Sequence, residues 1–259
     1  MEIEIDLTKS IEENAGKYFE AAKKAKRKSV GAKKALADTK HKLELLLKQE
    51  SKFLEETAVK QANRQKKREW YEKFHWFFSS EGFLCVGGKD ATSNEVIIKK
   101  HLEKNDLVLH TDMAGSPFFV IKNGQDAGEQ TIKETAQAVA AYSRAWKLWH
   151  TSADVFYVKP EQVTKEARPG EYLAKGSFMI YGKTNYLHPT LEYAIGLVGG
   201  EIIGGPKTAV EKNTKYFAVV IPGKENKGSL AKKIKHKLKG GDLDDIIKFL
   251  PAGGGELKK

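Results

Sequence analysis

Between residues 8 and 68 the chain contains no proline and only two glycines, Gly16 and Gly31, in a background of Ala, Lys, Glu and Leu. These residue types lose least on entering a helix, so the stretch predicts one long helix. In a seven-residue register Ala25, Ala32, Thr39, Leu46 and Phe53 form a seam, with Ser29, Leu36, Leu43, Glu50 and Thr57 beside it. Such a stripe seats a partner helix. At about 1.5 Å per residue the rod would reach roughly 90 Å, more than a domain of this size covers, so it pairs with another arm or projects into solvent.

The pattern then changes abruptly. Trp70, Tyr71, Phe74, Phe77 and Phe78 fall at near-helical spacings and read as rings that anchor the rod to a globular core. Residues 83–88 follow as an apolar strand that turns at Gly87-Gly88. Thr92 and Glu95 have the Ser/Thr-x-x-Glu spacing of a capping box and open a short helix to about residue 102. Residues 107–112 and 118–123 predict two strands joined by a turn. Thr131 and Glu134 repeat the capping spacing at the head of an amphipathic helix running to about residue 149. Further strands are expected at 154–160, 177–182, 201–206 and 215–223, and two short helices at 228–240 and 243–251. The fold class is α+β: a coiled-coil-type helix over residues 1–69, then a mixed α/β domain over 70–259.

Charge adds what periodicity cannot. The 259 residues carry 45 Lys and Arg against 34 Asp and Glu, a formal net charge of +11, and such an excess favours polyanionic partners. Between Lys23 and Lys52 the positives are Lys23, Lys24, Lys26, Arg27, Lys28, Lys33, Lys34, Lys40, Lys42, Lys48 and Lys52, against Asp38, Glu44 and Glu50. A second cluster, Lys232, Lys233, Lys235, His236 and Lys237, lies on a terminal helix. Helical charge runs are ordinarily solvated faces balanced at i,i+4; the scarcity of acidic partners favours contact with phosphates. The single cysteine, Cys85, excludes an internal disulfide and suits a reducing cytoplasm. The chain opens without a signal-peptide layout, and no apolar run approaches the ~20 residues of a membrane span; a soluble cytoplasmic protein with no membrane partner is expected.

No enzyme class announces itself. The histidines, His41, His75, His101, His110, His150, His188 and His236, never take zinc-ligand spacing, and no nucleophile elbow, Walker loop or dinucleotide fingerprint is present. No metal, cofactor or catalytic residue is expected. Two turns remain. Gly87-Gly88-Lys89-Asp90 links a strand to a capped helix and could hold a phosphate on backbone N–H groups with Lys89 closing over it; alternatively its glycines only permit positive φ. His110, Asp112 and Ser116 gather imidazole, carboxylate and hydroxyl in one connection, which could equally be a hairpin with Asp112 bonding locally.

Three ordered stretches, WYEKFHWFFSSEGFLCVGGKDATSNEVIIKKHL, LVLHTDMAGSPFFVIKNG and PGEYLAKGSFMIYGKTNYL, resemble the NFACT-R domain of the RqcH and NEMF ribosome-associated quality-control factors, and TKYFAVVIPG resembles archaeal members. The preceding basic helix is similar to part of that family's coiled coil. The resemblance implies an RNA-binding module acting at a large ribosomal subunit obstructed by peptidyl-tRNA, with ribosomal RNA, and also tRNA, as partners. The family's NFACT-N part, which supports tailing of stalled chains, would precede Met1; a second polypeptide would then supply NFACT-N and the other coiled-coil arm. Carried over as RNA-binding are Lys89, Asp90 and Asn94, then His110, Asp112, Gly115 and Ser116, then Lys175, Ser177, Lys183 and Asn185. Many relatives place a second histidine where this chain has Ala114, which removes a donor from any catalytic scheme at that turn; the Gly-Ser turn is closer to bacterial variants. Two other readings stand beside this one: an RNA-processing or RNA-modifying enzyme using His110 and Asp112 as acid and base, and a scaffold whose rod pairs with another subunit.

Overall fold

The structure, a computed structural model, describes residues 3–64, 69–166 and 172–258, the side chains of residues 48–64 excepted. By its internal contacts the chain divides into two compact units, Met1–Arg68 and Glu69–Lys259.

The first unit is the helix α1, Ile11–Arg64, 54 residues long and so about 80 Å from end to end. A capping box starts it: Ser10 N–H donates to the Glu13 carboxylate at 2.9 Å, and Glu13 N–H donates to Ser10 Oγ at 3.2 Å, satisfying donors that the helix itself cannot. Buried Asn14 ties the preceding segment down, accepting from Asp6 N–H and donating to the Asp6 and Ser10 carbonyls. Leu36, Leu43 and Leu46 of the predicted seam are exposed; Glu50, Phe53 and Thr57 lie outside the described side chains. Lys23 reaches Glu20 at 3.7 Å.

The second unit is built on a six-stranded antiparallel sheet in the order β1-β2-β4-β3-β5-β8. Its strands are β1 (His75–Phe78), β2 (Leu84–Gly87), β3 (Leu107–Thr111), β4 (Phe119–Ile121), β5 (Val155–Val158) and β8 (Asn185–Leu187). Side chains alternate between two cores, as a strand's two-residue period requires. Cys85, Leu107, Leu109, Phe119 and Ile121 face one core, whereas Val86, Val108, Val120 and Phe156 face the other.

The aromatic run is a strand, not the continuation of a helix. Trp70–Lys73 forms a single 3-10 turn and His75–Phe78 is β1, because rings at 75, 77 and 76, 78 satisfy a two-residue alternation once β2 offers a pairing partner. Trp70 stacks on His101 at 4.1 Å, and Phe74 is buried in the second core.

Between β2 and β3 lies α2 (Ala91–Val96), which ends in a π turn over Ile97–His101. The expected helix over 131–149 begins earlier and breaks: α3 is Glu129–Tyr142, and α4 is Arg144–Lys147. Ser143 adopts extended backbone and its Oγ accepts from Ala145 N–H at 3.1 Å, capping α4. Neither expected capping box forms. Asp90 rather than Thr92 caps α2. Thr131 instead sits inside α3, its Oγ1 donating to the Glu81 carboxylate at 2.5 Å.

A small pair, β6 (Val163–Thr164) with β7 (Met179–Ile180), precedes β8. The second sheet runs β10-β9-β11-β12, with β9 Tyr193–Val198, β10 Glu201–Gly205, β11 Phe217–Glu225 and β12 Gly255–Leu257. Helices α5 (Lys207–Asn213), α6 (Lys227–Leu238) and α7 (Leu243–Phe249) complete the unit. Trp146, Tyr193, Ile195, Leu230, Ile234 and Ile246 are fully buried in the first core, which the two sheets share with α3, α6 and α7. Among the described residues no helix is long and apolar enough to cross a membrane.

Candidate functional site

At the end of the six-stranded sheet where β1 and β4 begin and β2 and β3 finish, a cleft of about 820 Å³ opens. The register explains the convergence: His75 pairs with Gly87, Gly87 with Phe119, and Phe119 with Leu109, so these strand ends lie side by side. The cleft gathers Lys89, Asp90, Asn94, His110, Asp112, Gly115, Ser116, Lys175 and Ser177 from three separate stretches of sequence. Lys183 and Asn185 are exposed but lie outside it, as do Lys232, Lys233, Lys235 and Lys237, which are exposed on α6.

The first turn is not built as the glycines suggested. Neither Gly87 nor Gly88 has a positive φ; both are required by close approach. A Cβ on Gly87 would lie 2.2 Å from the Phe119 ring, and one on Gly88 would lie 1.9 Å from Asn94 Oδ1. The backbone N–H groups expected to cradle a phosphate are already used. Gly88 N–H donates to the Phe118 carbonyl at 3.0 Å, and Lys89 and Asp90 N–H both donate to Ser93 Oγ at 2.8 Å. Asp90 accepts from Ser93 N–H at 2.8 Å, and hydrogen bonds from Ser93 hold its carboxyl below the usual range. Only the Lys89 side chain remains for an anion. Burial in the cleft, and then the Lys248 charge, push its ammonium down from the ordinary lysine value.

Two of the expected ligands also support the fold. Asn94, 7% exposed, accepts from Phe118 N–H through Oδ1 at 3.1 Å and so fixes the start of β4. Ser116 is buried; its Oγ lies 2.8 Å from Thr111 Oγ1 and donates to the Met113 carbonyl at 2.7 Å, closing the turn. Gly115 has φ +84°, a conformation that needs glycine there.

The two histidines of the cleft lie on opposite faces of the sheet. His110 stacks on Phe118 at 4.0 Å and donates from Nε2 to the Ser116 carbonyl at 3.3 Å. Asp112 accepts from Tyr186 Oη at 3.0 Å instead. His75 stacks on Tyr142 at 3.7 Å. Burial lowers His110 to about 4 and His75 to about 3. Both rings are therefore neutral at pH 7, and an imidazole this weakly basic is a poor general base there. Cys85 offers no nucleophile, since burial pushes its thiol up to about 12.

These depressed values predict a pH dependence. Above pH 6.5 both rings are neutral whether the chain is folded or not. Below it the unfolded chain takes up protons that the folded unit refuses, so stability falls as pH drops towards 4, by at most about 1.4 kcal/mol per pH unit for each ring. Denaturant titrations at pH 7, 6 and 5 should show this slope, and His110→Gln should remove its share of it.

The third stretch is held over the cleft by Lys165, which donates to the Ala174 and Ser177 carbonyls at 2.9 and 3.0 Å and pairs with Glu95 at 3.0 Å. Gly176 permits the approach, since a Cβ there would sit 2.5 Å from Ala91 Cα. Lys175 and Ser177 stand exposed on this bridge.

Sequence reasoning missed the opposite wall. His75, Tyr142, Lys227 and Lys248 also line the cleft. Lys227 Nζ donates to the Leu250 carbonyl at 2.8 Å, and burial, then the Lys147 charge, lower its ammonium. Nothing local in the sequence links these residues to Gly88; only the packing of α6 and α7 against the sheets does. Among the described residues no group of His, Cys, Asp and Glu could hold a metal.

Comparison with known proteins sets this geometry in a family. Residues 73–182 match the family described as NFACT protein RNA binding domain. The chain is 41% identical over 203 residues to the "Archaeal Rqc2 homolog aRqcH" of Methanocaldococcus jannaschii, covering 75% of this chain and 30% of that protein. It is 35% identical over 201 residues to the "Ribosome quality control complex subunit NEMF homolog" of Drosophila melanogaster, covering 75% of this chain and 20% of that protein. The chain thus spans less than a third of the length of either relative. Among solved structures, the C-terminal part of the fibronectin/fibrinogen-binding protein from Streptococcus suis aligns with a TM-score of 0.40 at 18% identity, over 49% of each chain. Residues 73–182 thus belong to the NFACT RNA-binding-domain family, and three quarters of the chain is similar to Rqc2- and NEMF-type ribosome quality-control proteins.

Proposed function

We propose that the cleft at the sheet end is where this chain holds RNA, as the RNA-binding module of a ribosome-associated quality-control factor. The supporting observation is the cleft itself: Lys89, Lys175, Lys227 and Lys248 converge on it from separate segments, within a unit that matches an RNA-binding family. Asp90, the carboxylate nearest the first of these, is engaged in capping α2. The partner in this reading is ribosomal RNA of a large subunit obstructed by peptidyl-tRNA, with tRNA as a further ligand. A segment of NFACT-N type, in this or a separate polypeptide, would recruit tRNA for tailing. The basic face of α1, from Lys23 to Lys34, is a second electrostatic contact, and its exposed Leu36, Leu43 and Leu46 would seat the other coiled-coil arm. The geometry of His110 and Asp112, each bonded to a different neighbour, favours holding RNA over turning it over.

Lys89→Gln and Lys175→Gln are each expected to weaken binding of this chain to large ribosomal subunits about tenfold, or ~1.4 kcal/mol. The melting temperature should stay put, because neither ammonium makes a described bond that holds the fold. Unchanged occupancy for the double variant would remove the cleft from the account.

A further inference from the structure

We infer that the part of the cleft lined by His75, Lys89, Lys227 and Lys248 is a subsite for the phosphate of a single unpaired nucleotide, so that the cleft selects single-stranded over duplex RNA. The inference rests on the reading of the cleft as an RNA site, and it names which RNA.

Three observations carry it. First, the charges in this part are arranged against one another. Burial, and then the charge of Lys248, push the Lys89 ammonium down, and burial, then Lys147, push down that of Lys227; the charges of Lys89 and Lys227 both reach His75, which lines the same cleft. Asp90 is engaged by Ser93, and Asp245, which pairs with Lys248 at 2.6 Å, is the one carboxylate that a phosphate would share that ammonium with. A phosphate relieves such a cluster by adding charge-assisted hydrogen bonds. Second, His75 stacks on Tyr142 yet has no described hydrogen bond of its own, so its ring nitrogens are available to a phosphate oxygen or a ribose hydroxyl.

Third, the size suits a single strand. A cleft of about 820 Å³ is of the size that encloses a small organic ligand, roughly 300–1,000 Å³, which suits one or two nucleotides. A duplex presents its phosphates on a convex cylinder too broad to enter. Bases splayed out of a single strand can enter and stack on aromatic rings. Phe178, half-buried and set edge to face at 5.4 Å against the buried Phe118, is the ring that lines the cleft for that purpose. Lys227 and Lys248 lie outside the matched residues 73–182, so the C-terminal helices of this chain supply two of the subsite's four residues.

Fluorescence anisotropy with a labelled five-nucleotide RNA and a twelve-base-pair RNA duplex tests it. The parent chain is expected to prefer the single strand at least tenfold. Lys227→Gln with Lys248→Gln should lower single-strand affinity about tenfold and change duplex affinity less than twofold, while Lys227→Arg with Lys248→Arg retains the preference. Adenosine 5′-monophosphate, but not adenosine, should shift the His75 ring resonances. Equal affinity for both RNAs, or a glutamine variant that keeps the preference, would overturn the subsite while leaving the cleft reading to the Lys89 and Lys175 variants. A parent chain that binds neither RNA would overturn both.

Discussion

Raising the salt concentration from 50 to 200 mM is expected to weaken RNA binding by this chain about 100-fold. The figure follows from counterion release: contact with about five phosphates of an irregular or single strand gives a slope of log affinity against log salt near −3.5. The cleft offers Lys89, Lys175, Lys227 and Lys248 for such contacts, and α1 offers Lys24, Lys26, Arg27 and Lys28, all exposed. Each neutralising change within the cleft should make the slope shallower by about 0.7, which separates lost phosphate contacts from a general loss of fold. An affinity indifferent to salt would contradict an electrostatic grip altogether.

The second large effect is structural. Gly87→Ala is expected to destabilise the globular unit by about 3 kcal/mol, the upper end of what overpacking a tight core costs, and to lower its melting temperature by roughly 6–12 °C. Three atoms of the Phe119 ring lie within 2.2–2.5 Å of where the new Cβ would be. Phe119 is fully buried and pairs with Gly87 across β2 and β4, so its ring has nowhere to retreat. The strain would land where the Lys89 turn leaves the sheet, so RNA binding should fail together with stability. Gly31→Ala is the matching control: nothing lies within 4 Å of its Cβ position in α1, and the helix should gain up to about 1 kcal/mol. Calorimetry of both variants would read the contrast.

Much of this molecule was legible in its residues, for identifiable reasons. The long helix declared itself because propensity, register and missing proline all agree. The strands at Leu84–Gly87, Leu107–Thr111 and Phe119–Ile121 showed as apolar runs bounded by turns. The β1 strand did not, since rings at 70, 71, 74, 77 and 78 fit a helical period as well as an alternating one, and only pairing with β2 decides between them. Of the β9–β10 hairpin only the second strand was read, and β9 was passed over although its signal was local. Gly199 and Gly200, at φ +56° and +88°, form the two-residue turn that two flanking apolar runs require.

For the site, nine of the eleven residues carried over from the three turn regions do line one cleft. Their roles were less legible than their positions. The scaffold contacts of Asn94 and Ser116, to Phe118 N–H and Thr111 Oγ1, were not legible because tertiary folding sets those partners. Lys183 falls outside the cleft, and its carbonyl accepts from Gln162 Nε2 at 2.9 Å. Lys227 and Lys248 read as ordinary helix lysines until α6 and α7 pack against the sheets and bring them to Lys89.

The most direct measurement is ultraviolet crosslinking of the chain to ribosomes, followed by mass spectrometry of the nucleotide-bearing peptides. The account predicts adducts in residues 89–95, 110–118 and 175–180, the three segments that wall the cleft. Adducts confined to the opposite side of the unit, around Gln137, His188 and Lys207, with none in those segments, would contradict it.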